Sequence, residues 1–598
     1  MNAEGAARVA AYAFEAKGVQ AFILAGGRLR DIVGASLLVD SLCLQRSCLE
    51  ALPNEAAPRG VPPARGLLDD ALAASGLTPG PRLRFTRRAA GAFALVAVGP
   101  EAKALHDFRR LWTLLVTQAA PGLEFIDMIG AGATAPQALR AALAQGQGRR
   151  SRLAVPLPLA PPPARRAPRT GLGAVALDGN HRDEPPEPVD AATQRKRVFF
   201  SGHRARRRWW SQKPDELVWP TDFVEEFPFL GEDRTVAVLH ADGNRMGQIL
   251  IGLENQAAGK VATDGLPVND FSDDESHYLQ RLRGFSEDIG RATQYAFDKA
   301  CATHLGPAAH AAMAAEAKRI GQPVTRGFLP GRPIIMGGDD LAVILRGDLA
   351  LDFAQTFLDA FESNASDRLQ SLHAILPGLP PLTACAGLAL VNAGQPFDRA
   401  LALAEDLCRH AKSEAKAASR VRTGGDTGRV PSSLAFHRAT AALLESYADT
   451  LTHELTVGNE KGGGKIILTM QPYAVGDGDP MGLAHLDHLR KLRDLFGEGV
   501  LGRGAAREII ALLQAAPAQA RLRYARWRQV LGGGSVEQQK ALTHFDRALE
   551  AIGTAAEKHL GPGAHGETFR TPLGDAITWH IVTRVALRNA READEAVA

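Results

Sequence analysis

The sequence predicts an α+β protein in which one unit of strands and helices occurs twice and a helical region follows. Three patterns along the 598 residues support this prediction. Residues 1–150 follow the order β-α-β-β-α and then a strand, residues 231–425 repeat that order, and helical spacing dominates residues 481–598. Residues 151–230 and 426–480 connect these regions. At roughly 150 residues per domain, a chain of this length is expected to hold three or four domains.

The first unit is predicted from β-forming runs that alternate with amphipathic spacing. Leu105, Phe108, Trp112 and Leu115 recur at intervals of three and four residues, which indicates a helix with one buried face. A break of small residues at 88–91 separates two β-rich runs and predicts a hairpin. The predicted elements are a strand at 9–14, a helix at 19–44, two strands within 82–98, a helix at 102–118 and a strand at 123–128.

The second unit and the C-terminal region are predicted in the same way. The second unit is predicted to contain a strand at 235–241, a helix at 278–304, a strand pair within 333–345, a helix at 351–361, a strand at 382–390 and a helix at 398–418. The C-terminal region is predicted to contain helices at 485–495, 506–515, 519–531 and 537–552. Because no β-rich run stands out beyond 481, we expect an all-helical C-terminal domain.

Composition excludes several classes of protein. The 69 Lys and Arg nearly balance the 66 Asp and Glu, which excludes a histone-like polycation. The apolar share of 45% suits a folded protein. Five cysteines without a Cys-x-x-Cys pair argue against a disulfide framework and a thiolate zinc site. No apolar run reaches the roughly 18 residues of a membrane helix. We therefore expect a cytoplasmic protein without zinc or membrane contact.

Residues 151–230 form a region rich in proline and arginine. Between residues 149 and 213, 15 Lys and Arg stand against 5 Asp and Glu. Four arginines precede the pair Trp209 and Trp210, namely Arg204, Arg206, Arg207 and Arg208. Arginine pairs with phosphates and tryptophan stacks on bases, so this stretch suits nucleic acid. Two interpretations stay open, a solvated linker and an insertion that binds nucleic acid.

A carboxylate follows the first strand of the second unit. Asp242 ends an apolar run, and a glycine-containing segment then opens a helix. The strand places the carboxylate at its end, and the amides and dipole of the helix start suit a triphosphate. We predict that Asp242 is catalytic and that the following residues bind the nucleotide, namely Gly243, Asn244, Arg245, Met246 and Gly247.

Two further acids lie on the predicted hairpin of the same unit. Gly337 and Gly338 precede Asp339 and Asp340 between two apolar strands. The glycines permit a tight turn and close approach by a ligand, so they are also predicted to bind the nucleotide. If the hairpin neighbours the strand of Asp242, three carboxylates converge, a set that suits Mg²⁺ or Mn²⁺. Two such ions about 4 Å apart can hold the attacking and leaving oxygens of a phosphoryl transfer.

Two lysines complete the predicted site. Lys412 and Lys416 lie on the helix after the last strand of the second unit, and their spacing of four puts them on one face. As point charges, they are predicted to hold the β- and γ-phosphates of a bound triphosphate.

The first unit lacks these acids. One ungapped placement sets Ala16 against Asp242, and another sets residues 91–93 against residues 338–340. Alanine and phenylalanine then stand where the second unit has aspartates. The sequence therefore predicts one equipped copy and one degenerate copy.

Taken together, these motifs resemble the large polymerase-like subunit of type III CRISPR effector complexes, the family that makes cyclic oligoadenylates. The resemblance rests on residues 17–23 and 28–36, Ala241 to Gly247, Gly337 to Asp340, the helix around Lys412, and residues 469–473. These motifs are spread over residues 8 to about 475. They therefore cover most of the chain.

This resemblance implies a fold, a reaction and partners. The fold would be two ferredoxin-like palm domains, the first degenerate, followed by a helical domain. Asp242, Asp339 and Asp340 would hold two metal ions, and the 3′-hydroxyl of one ATP would attack the α-phosphate of another. Target RNA would switch synthesis on, in antiviral defence. Guide and target RNA would be held through other effector subunits.

The sequence departs from the family in two places. Many members begin with a His-Asp phosphohydrolase domain, whereas here the first palm is predicted to start within about ten residues of Met1. His106-Asp107 lies inside a predicted helix, so no DNA cleavage is expected. Many members also carry a zinc module, but no cysteine lies between residues 48 and 301.

Alternative interpretations remain. The same site could make a cyclic dinucleotide, a linear oligonucleotide or an adenylate conjugate, and Gly-Gly-Asp-Asp also resembles the diguanylate cyclase signature. The chain could instead be a scaffold with vestigial acids. Lys461 to Lys465 does not fit a phosphate-binding loop, which needs Gly-x-x-x-x-Gly-Lys-Ser/Thr, and is predicted to be a hairpin turn. His240 and His437 are predicted to be packing residues.

Overall fold

A computed structural model gives the fold of the chain. It describes residues 8–44, 66–150, 159–178, 186–200, 209–223, 225–258, 269–377, 379–425, 428–440, 446–458, 464–497, 501–554, 560 and 568–597. The fold is mixed α and β, as predicted, with two larger sheets and three small ones. No described helix combines the length and apolar character that a membrane crossing requires.

The first unit is a four-stranded antiparallel sheet in the order β2-β3-β1-β4 with helices packed on it. Its elements are β1 (Val9–Lys17), α1 (Val19–Leu24), α2 (Leu29–Cys43), α3 (Leu67–Ala74), β2 (Leu83–Ala89), β3 (Ala92–Val98), α4 (Pro100–Ala119), β4 (Glu124–Gly132) and α5 (Ala135–Arg150). The single helix predicted at 19–44 is two helices. Gly26 and Gly27, at φ values of 118° and 68°, break it because residues with a side chain rarely adopt that backbone.

The described part of the proline- and arginine-rich region contacts both units: residues 191–200 pack on the first unit, whereas Leu217–Val218 pair with Gly327–Phe328 of the second unit. It contains β5 (Ala176–Asp178), β6 (Glu187–Val189), α6 (Ala191–Phe200) and β7 (Leu217–Val218). Helix α6 packs on α2, where Gly34 leaves no room for a Cβ against the Lys196 carbonyl. Arg197 bonds to the buried Asp31 at 2.7 Å and to Glu187 at 2.9 Å. Residues 186–200 are therefore attached to the first unit, whereas Arg204, Arg206, Arg207 and Arg208 lie outside the described residues.

The second unit is built on a six-stranded sheet in the order β10-β11-β8-β12-β13-β16, of which β16 (Tyr473–Ala474) lies in the connecting segment. Its elements are β8 (Thr235–Gly243), α7 (Met246–Ala258), α8 (Asp273–Ala300), α9 (Gly306–Ile320), β9 (Gly327–Phe328), β10 (Gly331–Gly337), β11 (Asp340–Arg346), α10 (Ala350–Arg368), α11 (Gln370–Ile375), β12 (Ala384–Asn392), α12 (Phe397–Thr423) and β13 (Ser433–Arg438). Strand β8 lies between β11 and β12 and is buried along most of its length, so its end is held at the centre of the sheet.

The two larger sheets share one strand register. Strands β1 and β8 each have nine residues, and each pairs with a nine-residue strand, β4 or β12, along its whole length. Val9 faces Gly132 in the first sheet, and Thr235 faces Asn392 in the second. By this register Ala16 corresponds to Asp242, which agrees with the ungapped placement.

The hairpins correspond differently from the placement expected from the sequence. Glu15 pairs with Ala92 in the first sheet, and its counterpart Ala241 pairs with Leu341 in the second. By this register Asp340 corresponds to Gly91 and Asp339 to Ala90, two residues from the expected match. A shift of two keeps every side chain on the same face, so alternation alone cannot detect it. The first unit still lacks acids at these positions.

The C-terminal region is mainly helical, but it is not all helical. The connecting segment before it contains α13 (Tyr447–Asp449), β14 (Thr456–Gly458), β15 (Lys465–Ile467) and β16 (Tyr473–Ala474). The C-terminal region itself contains α14 (Leu486–Gly497), α15 (Arg503–Ala515), α16 (Pro517–Gly532), α17 (Val536–Ile552), β17 (Thr568–Arg570) and α18 (Leu573–Val597). Strand β17 pairs in parallel with β15, which corrects the all-helical prediction. Three residues are too short for a hydrophobic period, so their pairing depends on a distant strand. Strands β14 and β15 pair antiparallel, while Lys461 to Gly463 lie outside the described residues.

Candidate metal and nucleotide site

Two neighbouring strands bring the three predicted aspartates together. Asp242 is near the end of β8, Asp340 begins β11, and Asp339 lies on the turn before it. Ala241 pairs with Leu341 in antiparallel strands. Asp242, which follows Ala241, and Asp340, which precedes Leu341, therefore lie at the same end of the sheet. One carboxylate oxygen from each of the three lies within 4.8 Å of the others. No other trio of Asp, Glu, His or Cys among the described residues meets this criterion.

Two glycines allow the three carboxylates to meet. Gly338 has φ 62°, a left-handed conformation that glycine adopts without steric cost. A Cβ added to Gly243 would lie 2.9 Å from the Cβ of Asp339 and 2.8 Å from Cε of Met246. Such distances are too short for carbon atoms, so Gly243 is required by the close approach of the two strands.

A threonine on helix α8 forms a hydrogen bond that holds the hairpin in place. The hydroxyl of Thr293, a residue of α8 that is 1% exposed, donates a 2.6 Å hydrogen bond to the carbonyl oxygen of Gly338. Helix α8 begins with a capping box formed by Ser272 and Glu275. Glu275 also bonds to Arg8, which immediately precedes β1 of the first unit. Sequence reasoning did not find Thr293, because a buried threonine in a long helix carries no signal of its distant partner.

Of the two predicted lysines, one reaches the carboxylates. Lys412 of α12 donates hydrogen bonds to Oδ2 of Asp242 and, at 2.8 Å, to the carbonyl oxygen of Gly243. Lys416 lies one turn further along the helix and is exposed. The cluster therefore holds three carboxylates and one ammonium group.

The surroundings of the cluster raise the pKa of two of its carboxyl groups and of its lysine. Burial and the neighbouring Asp242 raise the pKa of Asp339 to about 6. Asp340 is at the exposed tip of the hairpin, yet partial desolvation and the charges of Asp339 and Asp242 raise its pKa to about 7. Burial opposes protonation of Lys412, but the Asp242 carboxylate outweighs it, and the pKa of Lys412 is raised. Burial and the mutual repulsion of the carboxylates therefore both favour protonation of Asp339 and Asp340 when no cation is bound.

The donor set fits a hard divalent cation. All three candidate ligands are carboxylates, which Mg²⁺ and Mn²⁺ prefer over nitrogen or sulfur ligands. Three potential negative charges face a single lysine, so a divalent ion would remove an electrostatic cost. Asp242, Asp339 and Asp340 are the residues that would hold it.

The residues after Asp242 have different environments. Asn244 is 2% exposed, and its side-chain amide donates to Oγ1 of Thr383 at 2.9 Å and to Sγ of Cys385 at 3.3 Å. Its backbone N–H donates to the carbonyl oxygen of Thr383 at 2.7 Å. Asn244 therefore ties the loop to β12, a role that differs from the predicted nucleotide contact. Gly247, in contrast, is exposed at the start of α7.

Part of the first unit lies close to the site. A Cβ added to Gly337 would be 3.7 Å from the Cβ of Ala90, so the hairpins of the two sheets are in contact. Arg87 of β2 is close enough to Asp340 for its charge to oppose the rise in the pKa of that carboxyl. The first unit therefore borders the acidic cluster.

The other residues singled out in the sequence do not join the cluster. Burial lowers the pKa of both His240 and His437 to about 4, so their rings are neutral at pH 7. His106 and Asp107 are exposed on α4, where Asp107 pairs with Arg110 at 3.7 Å.

This geometry defines an α+β domain whose sheet carries a carboxylate cluster at one end, the arrangement expected of a palm domain. Residues 235–419 match the family model described as Cas10/Cmr2, second palm domain. This segment is thus similar to the second palm domain of Cas10/Cmr2, which confirms the resemblance to the large subunit of type III CRISPR complexes for this part of the chain. The matched segment contains all three aspartates and both lysines.

Several solved structures are similar to the chain. A Csm1–Csm4 cassette in complex with cA3 has 12% sequence identity and a TM-score of 0.41, and the alignment covers 91% of this chain and 69% of that one. A cassette in complex with cA4 has 12% identity and a TM-score of 0.34, with coverage of 68% and 53%. Csm1 of T. onnurineus has 14% identity and a TM-score of 0.35, with coverage of 68% and 52%. The alignments with the cA4 cassette and with Csm1 thus span about half of those chains. No curated protein matches the sequence significantly.

Proposed function

We propose that the chain is the large subunit of a type III CRISPR effector complex and polymerises ATP into cyclic oligoadenylates. The observation that carries this proposal is the convergence of Asp242, Asp339 and Asp340 at one end of a sheet that matches the second palm domain of Cas10/Cmr2. In this proposal, residues 231–425 are the catalytic palm and residues 1–150 a degenerate palm. The equivalent register of the two sheets supports that assignment.

The chain's own residues would prepare the site for a nucleotide. The three carboxylates would hold two Mg²⁺ or Mn²⁺ ions, which when bound supply charge stabilisation for phosphoryl transfer. Gly337 and Gly338 leave the turn free of side chains on which substrate phosphates would clash. Lys412, which is within reach of Asp242, and the exposed Lys416 would contribute positive charge toward the β- and γ-phosphates.

The proposed reaction joins two ATP molecules. The 3′-hydroxyl oxygen of one ATP attacks the α-phosphate of the other, a new phosphodiester bond forms, and pyrophosphate leaves. The proton of the hydroxyl passes to solvent. Repetition and final closure would give a ring of adenylates, and the number of units is left open by the residues at the site.

The proposal includes partners and a location. Guide RNA and target RNA would be held through other effector subunits, and target binding would switch synthesis on in the cytoplasm. The C-terminal region, residues 481–598, would be the helical domain of the subunit, with β17 joining it to the connecting segment.

A variant with both hairpin acids replaced tests the proposal. In the assembled complex with target RNA, Asp339→Ala with Asp340→Ala should abolish release of pyrophosphate from ATP. The matched control replaces two exposed acids elsewhere, Asp107→Ala with Asp398→Ala, whose side chains are 81% and 59% exposed. Equal turnover in both double variants and the parent would overturn the proposal.

Two alternatives are distinguished by two further measurements. If the site makes another product, mass spectrometry with ATP and GTP in competition will show a dinucleotide, a linear chain or a conjugate. If the chain is a scaffold, calorimetry will show no ATP binding that depends on Mg²⁺ or Mn²⁺.

A further inference from the structure

We infer that the C-terminal region binds single-stranded RNA directly, at an arginine-rimmed cavity between β13 and the helices α15 and α18. The cavity shares no residue with the acidic cluster, so this inference is independent of the proposed nucleotide chemistry. It concerns direct RNA contact by this chain, in addition to contacts made through other subunits.

The cavity has an apolar floor. Its volume is about 280 Å³, close to the lower end of ligand pockets, which are roughly 300 to 1,000 Å³. That size suits a single planar ring system better than a larger group. Six apolar side chains line it, namely Phe436, Leu455, Leu468, Ile510, Ala511 and Ile577. His437 also lines the cavity, and its lowered pKa, about 4, keeps the ring uncharged at pH 7.

Arginines without carboxylate partners surround this floor. Arg438 and Arg507 line the cavity, and within the described ranges neither side chain forms a hydrogen bond or an ion pair. Arg584, on the outer side of α18, likewise has no such partner among the described side chains. Arg503 approaches Nε2 of His580 at 3.1 Å. The positive charge on this surface is therefore available to an external anion.

The lowered pKa of His580 reflects its burial and the arginines around it. Burial is the largest cause that lowers the pKa of His580, and four arginine charges lower it further. They are Arg503, Arg493, Arg507 and Arg584. These arginines belong to α14, α15 and α18, so three helices place positive charge around His580.

The nearby acids are already engaged. Asp575 lines the cavity, but its carboxylate accepts hydrogen bonds from Oγ1 of Thr469, the backbone N–H of Met470, Nε2 of Gln471 and the hydroxyl of Tyr473. Asp494 pairs with Arg493 at 2.6 Å, and Glu508 pairs with Arg523 at 2.9 Å. Among the described residues, none of these three carboxylates forms an ion pair with Arg438, Arg507 or Arg584.

The combination favours RNA over other anions. Single-stranded nucleic acid binds where a positive surface follows the backbone and a base can leave the strand and enter an apolar pocket. A free mononucleotide would use the cavity and the two arginines that line it, but not Arg503 and Arg584 beyond them. An acidic protein surface would need the arginines but not the ring-sized cavity.

Anisotropy of a labelled 20-nucleotide single-stranded RNA, titrated with the full chain at several salt concentrations, tests the inference. For Arg438→Ala, Arg507→Ala and Arg584→Ala combined, we expect affinity at low salt to fall at least tenfold. The slope of log affinity against log salt should fall by about 2, since each phosphate contact with a single strand contributes about 0.7. Lysine at the same three positions should keep most of the slope.

A matched triple variant controls for the loss of charge. Arg526, Lys540 and Arg547 are exposed on α16 and α17, and their replacement by alanine removes the same formal charge. This control should bind RNA like the parent. Photocross-linking with 4-thiouridine RNA should label peptides that contain residues 436–438 or 507–514. Equal losses in the two triple variants, an absence of RNA binding, or a loss confined to binding of a partner protein would overturn the inference.

Discussion

Thr293 and Gly338 are joined by a 2.6 Å hydrogen bond from the threonine hydroxyl to the glycine carbonyl. The bond links helix α8 to the turn that presents Asp339 and Asp340. The amino end of the same helix is tied through Glu275 to Arg8, beside the first unit. One helix thus connects the first unit to the turn that carries two candidate metal ligands.

Replacement of this threonine by valine should weaken metal binding. Thr293→Val keeps the shape but leaves the Gly338 carbonyl without its buried donor, at a cost of about 1–3 kcal/mol in the free energy of unfolding. Mn²⁺ affinity, measured by calorimetry, should fall severalfold, and Thr293→Ser should restore it. Thr303→Val, which removes a hydroxyl bonded within its own helix, is the control. Equal Mn²⁺ affinity in all three variants would contradict the positioning role.

A methyl group at Gly243 should disturb the cluster, whereas one at Gly247 should not. An added Cβ at Gly243 meets Asp339 at 2.9 Å, but at Gly247 it meets nothing within 4 Å. Gly243→Ala should therefore lower Mn²⁺ affinity at least tenfold. Gly247→Ala should leave affinity unchanged and leave the melting temperature equal or slightly higher, because alanine favours the helix by up to about 1 kcal/mol. The prediction fails if both variants bind Mn²⁺ alike.

The metal-free protein should lose stability as pH rises from about 4 to 7. The pKa of Asp339 is about 6 in the folded protein, above its usual value of 3.8, so the folded state holds more protons in this range. Stability then falls with rising pH, because the unfolded state releases those protons more readily. Melting temperatures measured in chelator should show this decline, and Asp339→Asn with Asp340→Asn should reduce it.

The affinity for Mn²⁺ should rise over the pH range in which the metal-free protein loses stability. Since cations compete with protons for the carboxylates, apparent Mn²⁺ affinity should increase between pH 5.5 and 7.5. A flat affinity profile over that range would show that the three carboxylates do not bind the ion together.

The arginine run before the two tryptophans carries a separate prediction. Neutralising Arg204, Arg206, Arg207 and Arg208 should reduce the salt dependence of RNA binding by the complex if this stretch contacts RNA. Trp209 and Trp210 are buried, so stacking on bases by their rings in this conformation is excluded. An unchanged slope of affinity against salt concentration would assign the run to a linker.

The sequence predicted the residues of the site better than the contacts that hold those residues in place. Apolar strands, glycines and acids are local signals, and they located Asp242, Asp339 and Asp340 before the pairing of β8 with β11 was known. The contacts that hold these aspartates in place depend on segments distant in the sequence. Thr293 bonds to the hairpin at Gly338, and Asn244 bonds to Thr383. The same reason explains β17, whose three residues pair only because β15 lies beside them, and the packing of α6 on α2.

The product formed from ATP tests the central claim most directly. The assembled chain should be incubated with ATP and Mn²⁺ or Mg²⁺, with and without guide and target RNA, and the products identified by mass spectrometry. The account predicts cyclic oligoadenylate and pyrophosphate that appear only with target RNA and vanish in Asp339→Ala with Asp340→Ala. An absence of nucleotide product, together with tight binding of RNA and partner subunits, would contradict it and identify the chain as a scaffold.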